Sequence, residues 1–97
     1  MDSEIYSLYY IPNSDYVGIT TNYETRAIQH ESNGKDITGM IRLFKFEDRR
    51  LALSIEAILH RRGYAGSNRY TEARYLWADV ETHRIADQME RKIKRNN

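Results

Sequence analysis

Ile5-Tyr6-Ser7-Leu8-Tyr9-Tyr10-Ile11-Pro12-Asn13-Ser14-Asp15-Tyr16-Val17-Gly18-Ile19-Thr20 is the stretch whose reading decides the fold. Two runs rich in Tyr, Ile and Val, Ile5 to Ile11 and Asp15 to Thr20, are separated by a Pro-Asn-Ser-Asp turn, the pattern of an antiparallel β-hairpin. Folding back at that turn sets Tyr6 and Tyr16 on neighbouring strands, where two phenols could join one cluster.

Working outward from the hairpin, Thr21 or Asn22 can cap a helix that turns Tyr23, Ala27 and Ile28 inward and stops near Asn33-Gly34. After Gly39, apolar residues from Met40 to Phe46 fall on both faces of an extended segment, which predicts a third strand that is central or covered on each side. Glu47-Asp48 then supplies a cap and a negative first turn for a longer helix ending at Gly63. Its inner stripe is Leu51, Ala52, Ile55, Ile58 and Leu59. A loop with Gly66, Ser67 and Asn68 leads to a last helix over 73–94, with Ala78, Ile85, Ala86, Met89 and Ile93 at helical spacing. The order is β-β-α-β-α-α. An α+β fold, a small three-stranded antiparallel sheet flanked by helices, is the simplest way to bury these stripes.

Ninety-seven residues suit one domain with one core, so residues 1–97 are expected to form a single unit. The absence of cysteine excludes disulfides and thiolate zinc sites. No apolar run approaches the ~20 residues of a membrane span, and the acidic start Met1-Asp2-Ser3-Glu4 is unlike a signal peptide. The expected setting is therefore cytoplasmic. A net charge of +1 conceals local clusters. Residues 73–97 are read as a C-terminal basic helix, and from Arg84 to Asn97 the basic residues Arg84, Arg91, Lys92, Lys94 and Arg95 exceed Asp87 and Glu90 by three. Arg61-Arg62, Arg69 and Arg74 form a second basic group. Either cluster is a solvated face or a phosphate contact.

Eight tyrosines invite a functional reading, yet tyrosine is a good strand former and core-edge filler, so position must decide. Arg26 and His30, four apart, share a helical face that follows the hairpin at short range. Glu56 sits among Ile55, Ala57, Ile58 and Leu59, about 100° round from Ile55. Its carboxylate either reaches water and pairs with Arg49 or His60, or points into a cleft and binds a cation. One carboxylate suffices for Mg²⁺, which keeps several waters and shares substrate phosphate oxygens.

With these residues in view, the chain resembles the GIY-YIG nuclease superfamily. Glu4-Ile5-Tyr6 stands in the place of the first motif and Tyr16-Val17-Gly18 in the place of the second. Arg26-x-x-x-His30, Glu56 and Asn68 follow in the family's order, so the likeness runs from Glu4 to about Tyr70. Glu4 departs from the pattern by replacing the first motif's glycine.

The resemblance implies the GIY-YIG fold and a metal-dependent DNA endonuclease. Tyr6 would be the general base toward the attacking water, and Tyr16 would position that water or the phosphate. A phenol titrates near ~10 unperturbed, so positive charge from Arg26, His30 or the metal would be needed to favour phenolate. Arg26 would stabilise charge on the non-bridging oxygens, and His30 would orient Tyr6 or relay its proton. Glu56 would hold one Mg²⁺ or Mn²⁺, and Asn68 would brace the site or its phosphate contact; Arg61 and Arg69, from the second basic group, are expected on the substrate as well. Limited sequence selectivity, a partner, or homodimerisation through the last helix would follow from the lack of an appended domain. The small size suits a phage or mobile-element product. A non-catalytic module that binds nucleic acid or a protein, and an enzyme acting on RNA or modified DNA, are the alternatives.

Overall fold

The reversal after Ile11 is a single 3-10 turn, Pro12–Ser14, closed by Asp15 in the left-handed region at φ 51°. Asp tolerates that conformation better than most residues, and here its side chain has a partner: the Tyr10 hydroxyl donates to Asp15 Oδ1 at 2.6 Å. On either side lie β1 (Tyr6–Ile11) and β2 (Tyr16–Thr20), followed by α1 (Tyr23–Ser32), β3 (Ile41–Phe46), α2 (Arg49–Arg61) and α3 (Val80–Arg95). This is a computed structural model that describes residues 4–66 and 79–96. The expected start of the last helix at Ala73, together with Asn68 and Arg69, lies outside the described residues.

All strand pairs are antiparallel in the order β2-β1-β3, so the fold is the α+β arrangement expected. β3 is an edge strand, and the central strand is β1; the expectation of a central or doubly covered third strand is corrected. The misleading feature was the apolar content of both faces, and a β-bulge explains it. Leu8 pairs with Phe44 and Tyr9 with Arg42, so Leu43 is an extra residue that turns into the core. Phe44 is left 46% exposed, with its ring against Phe46 and the Lys92 ammonium over it.

One face of the sheet, through Leu8, Tyr10 and Val17, joins Leu43 and Phe46 in a core closed by α2 and α3. Helix α2 contributes Ala52, Ile55, Ile58 and Leu59, and α3 contributes Ala86, Met89 and Ile93, as their spacing requires. Asp48 and Asp79 cap the two helices with their side chains. Because the apolar stripe of α3 is consumed within its own chain, a homodimer through this helix would have to use its charged face. No helix of the described residues is long and apolar enough to cross a membrane.

Helix α1 begins at Asn22 rather than Thr21, with the Thr25 amide donating to Asn22 Oδ1. Its inward face differs from the one expected. Ile28 is 63% exposed, and the residues turned toward the protein are Tyr23, Arg26, Ala27 and His30. They recur at i, i+3, i+4 and i+7, one helical stripe, but a polar one. The sheet face it meets carries Tyr9, whose hydroxyl offers a hydrogen-bond partner that an isoleucine could not use.

Candidate active site

The outer edge of β2 is where the chemistry-bearing side chains gather. An edge strand exposes unpaired amides and carbonyls, and the protein satisfies them from its own sequence. The Val17 amide donates to the Ala65 carbonyl at 2.8 Å, extending the sheet by a short bridge. His60 Nε2 lies 2.8 Å from the Val17 carbonyl and must be its protonated nitrogen, since a carbonyl only accepts. The Ile19 backbone is hydrogen-bonded to the Glu56 carboxylate. Glu56 and His60 are four apart on α2, one helical turn, while Ile19 and Val17 are two apart on the strand. Those two periods bring α2 along the strand edge and fix the direction of Glu56.

Glu56 is 6% exposed and points into a cavity of about 370 Å³. Tyr6, Tyr9, Tyr16, Arg26 and Arg49 line the same space. Of the two orientations open to Glu56, the structure takes the cleft: no ion pair within 4 Å joins it to Arg49, and His60 is engaged with Val17. Burial pushes its carboxyl up to about 7, against the opposing pull of the Arg26 charge and the Ile19 backbone hydrogen bond.

Tyr6 and Tyr16 both reach this cavity, but the register sets them apart. Ser7 pairs with Thr20 and Ile11 with Tyr16, so the two phenols stand near opposite ends of the hairpin. The ring stacked on Tyr16 is Tyr9, at 6.0 Å between centroids. Tyr9 is also the hydrogen-bond partner of His30, its hydroxyl 2.8 Å from Nε2, so His30 touches Tyr9 where Tyr6 had been expected. The imidazole packs edge-on against Tyr16 at 4.9 Å. Burial, with Lys35 and Arg26 adding to it, holds His30 below its usual pKa. It is therefore neutral near pH 7, and the positive charge of the site comes from Arg26, Arg49 and Lys35 instead. The Lys35 ammonium lies 4.6 Å over the Tyr16 ring.

Arg61 stands elsewhere. Five residues beyond Glu56 on α2, it is turned by about 140° and lines a separate cavity with Ile58, Arg62 and His83. The fold therefore does not bring Arg61 to the cavity of Glu56. Tyr9, Arg49 and Lys35 were missed as members of the cluster. For Arg49 a signal existed, since residues 49, 53 and 56 lie on one helical face; for Tyr9 there was none beyond its being a third hairpin tyrosine.

Gly18 is the seat of the Tyr9 ring. A Cβ built there would lie 2.5 Å from the Tyr9 hydroxyl oxygen and 2.6 Å from Cζ. Gly18→Ala is expected to cost about 1–3 kcal/mol, the usual penalty of overpacking, because the ring must shift away from its hydrogen bond to His30 and its stacking on Tyr16. Urea unfolding checks this, with an unchanged midpoint as the contrary result.

Among the described residues, no group of three or more His, Asp or Glu side chains is placed to enclose a metal ion. Glu56 by itself nevertheless fits the kind of site that Mg²⁺ occupies, one carboxylate completed by water and phosphate oxygens. Its buried charge is under-compensated, and the cavity before it has room for those ligands. Comparison with protein-family models, with curated proteins and with solved structures returned no match.

Proposed function

We propose that this protein is a metal-dependent endonuclease of the GIY-YIG type that hydrolyses DNA phosphodiester bonds. The observation that carries the reading is the convergence of Glu56, Arg26, Tyr6 and Tyr16 on one cavity, with His30 behind Tyr16. These are residues that the resemblance singles out, drawn from two strands, β1 and β2, and two helices, α1 and α2.

In this reading a water oxygen attacks phosphorus, the bond to the 3′-oxygen breaks, and a 5′-phosphate and a 3′-hydroxyl are left. Tyr6, entering the step as phenolate, accepts the proton lost by the water, a solvent water protonates the departing 3′-oxygen, and Tyr16 positions the attacking water or the phosphate. Arg26, reaching into the cavity from α1, meets the non-bridging oxygens as charge grows on them. Glu56 would hold the divalent cation, which when bound supplies Lewis-acid stabilisation of the leaving oxygen. Arg49, at the cavity wall, adds a second guanidinium for the phosphate backbone. Affinity for the duplex beyond the site is assigned to the basic groove of α3, where Arg91, Lys92, Lys94 and Arg95 lie together.

The test is incubation of the purified protein with plasmid, branched and single-stranded DNA, and with RNA, each with Mg²⁺ or Mn²⁺. DNA cut with 5′-phosphate ends is the expected product, and chelation by EDTA stops the reaction. Salt-sensitive binding with no cleavage of any form would replace the enzyme by a binding module. Preferential cleavage of RNA would move the substrate class.

A further inference from the structure

Tyr9 has no task in the reaction just described, yet it is the most enclosed polar side chain of the site. It is 0% exposed, and its hydroxyl lies 2.8 Å from His30 Nε2. Arg26 and Tyr16 stand beside it, close enough for the guanidinium charge and the second phenol to act on the same oxygen. The ring is held between Tyr16, nearly parallel to it at 19°, and Tyr23, edge-on at 6.3 Å. Gly18 leaves the space that the hydroxyl occupies.

A ring serving only to fill volume here would be phenylalanine, because an enclosed hydroxyl is costly unless its hydrogen bonds are made. This one has the His30 imidazole as its partner. A phenol has one proton and two lone pairs, so beside its bond to His30 the oxygen keeps capacity to accept from the neighbouring Arg26, which can only donate. Through that oxygen α1 is tied to β1 at His30, while the ring that carries it is stacked on Tyr16 of β2. The helix has no apolar stripe on this face, so polar contacts set its rotation. Burial holds the phenol itself far above its ordinary pKa, which removes it as a base at neutral pH.

We infer that Tyr9 is a positioning residue, whose hydroxyl holds His30, Arg26 and Tyr16 in the mutual orientation that phosphodiester hydrolysis needs. The inference rests on the endonuclease reading for its reaction, and on the hydrogen-bonded cluster for its structure.

Tyr9→Phe keeps the ring and deletes the hydroxyl, and two readouts of it separate the roles. In ¹⁵N spectra of the histidine side chains, His30 is expected to show one dominant tautomer in the parent protein and a mixture in the variant, because its Nε2 has lost its partner. A merely space-filling ring would leave those resonances unmoved. In single-turnover cleavage with Mg²⁺, kcat is expected to fall about 10–100-fold with KM within about twofold, the mark of misplaced groups rather than lost binding. His30→Ala combined with Tyr9→Phe should cost little more than either alone, since both break the same contact.

Unchanged His30 resonances overturn the inference, as does a shifted tautomer with undiminished kcat. If the parent protein cleaves nothing, the endonuclease reading fails and the catalytic role of Tyr9 fails with it. The spectra still decide whether the hydroxyl organises the cluster.

Discussion

Replacing Glu56 by glutamine is expected to lower metal-dependent cleavage by about 10³-fold or more, the equivalent of several kcal/mol of lost charge stabilisation. The same change is expected to make the folded protein more stable at pH 8. The second effect follows from burial. The Glu56 carboxyl is pushed from an ordinary 4.5 up to about 7, so between those values the folded protein holds a proton that the unfolded chain has released. Its contribution is fully present below pH 4.5 and is lost as pH rises through 7, about 3 kcal/mol in all. Glutamine, neutral throughout, has no such slope.

His30 and His60 are held below their usual pKa by burial and give slopes of the opposite sign, lost as pH falls. Subtracting the variant's curve from the parent's cancels them and isolates Glu56. Urea unfolding at intervals from pH 4.5 to 8, with and without Mg²⁺, measures the difference. Added Mg²⁺ should stabilise the parent at pH 8 by mass action and leave the variant unchanged. Equal slopes in the two proteins would mean that the carboxyl is not enclosed, and undiminished cleavage would remove Glu56 from the reaction.

Arg26→Ala is expected to reduce kcat by about 10²–10³-fold, the range found when one preorganised donor to a developing oxyanion is deleted. Arg26→Lys should recover little of this. The guanidinium donates to Gln29 through Nε at 3.0 Å while its charge acts on Tyr9 and Glu56, and an ammonium is a point charge without that fork. A second consequence separates Arg26 from a general loss of folding. Its charge opposes the rise of the Glu56 pKa, so Arg26→Ala should move that carboxyl further upward. Direct ¹³C observation of the carboxyl through a pH titration reads the shift. A downward movement, or full activity in the lysine variant, would show that the guanidinium does not face the cavity as described.

How far the site could be read from the chain depends on which physical signal each residue carried. Glu56 announced itself, because a carboxylate inside an apolar helical run needs a reason to be there. Arg26 and His30 were legible as a pair through their helical spacing, although the same spacing assigned Ile28 to the interior. That error arose because apolar content normally chooses the buried face of a helix, whereas α1 docks on a sheet face whose available partner is a phenol. Tyr9 carried no distinguishing signal. It is one of three tyrosines in β1, and only its side of the strand, opposite α1, makes it the partner of His30.

The sequence by itself determined the local elements: the hairpin and its Pro12–Asp15 reversal, a cap for α1 at Thr21 or Asn22 and one for α2 at Glu47-Asp48, and the apolar stripes of α2 and α3. Each of these is settled by neighbours within a few positions, through turn stereochemistry, capping hydrogen bonds and a 3.6-residue or 2-residue period. Tertiary structure alone decided that β3 joins the far side of β1, that Leu43 is an extra residue in its ladder, and that Glu56 and His60 line the open edge of β2. These outcomes depend on pairing register and strand order, which are fixed by contacts between segments distant along the chain and leave no periodic trace in any one of them.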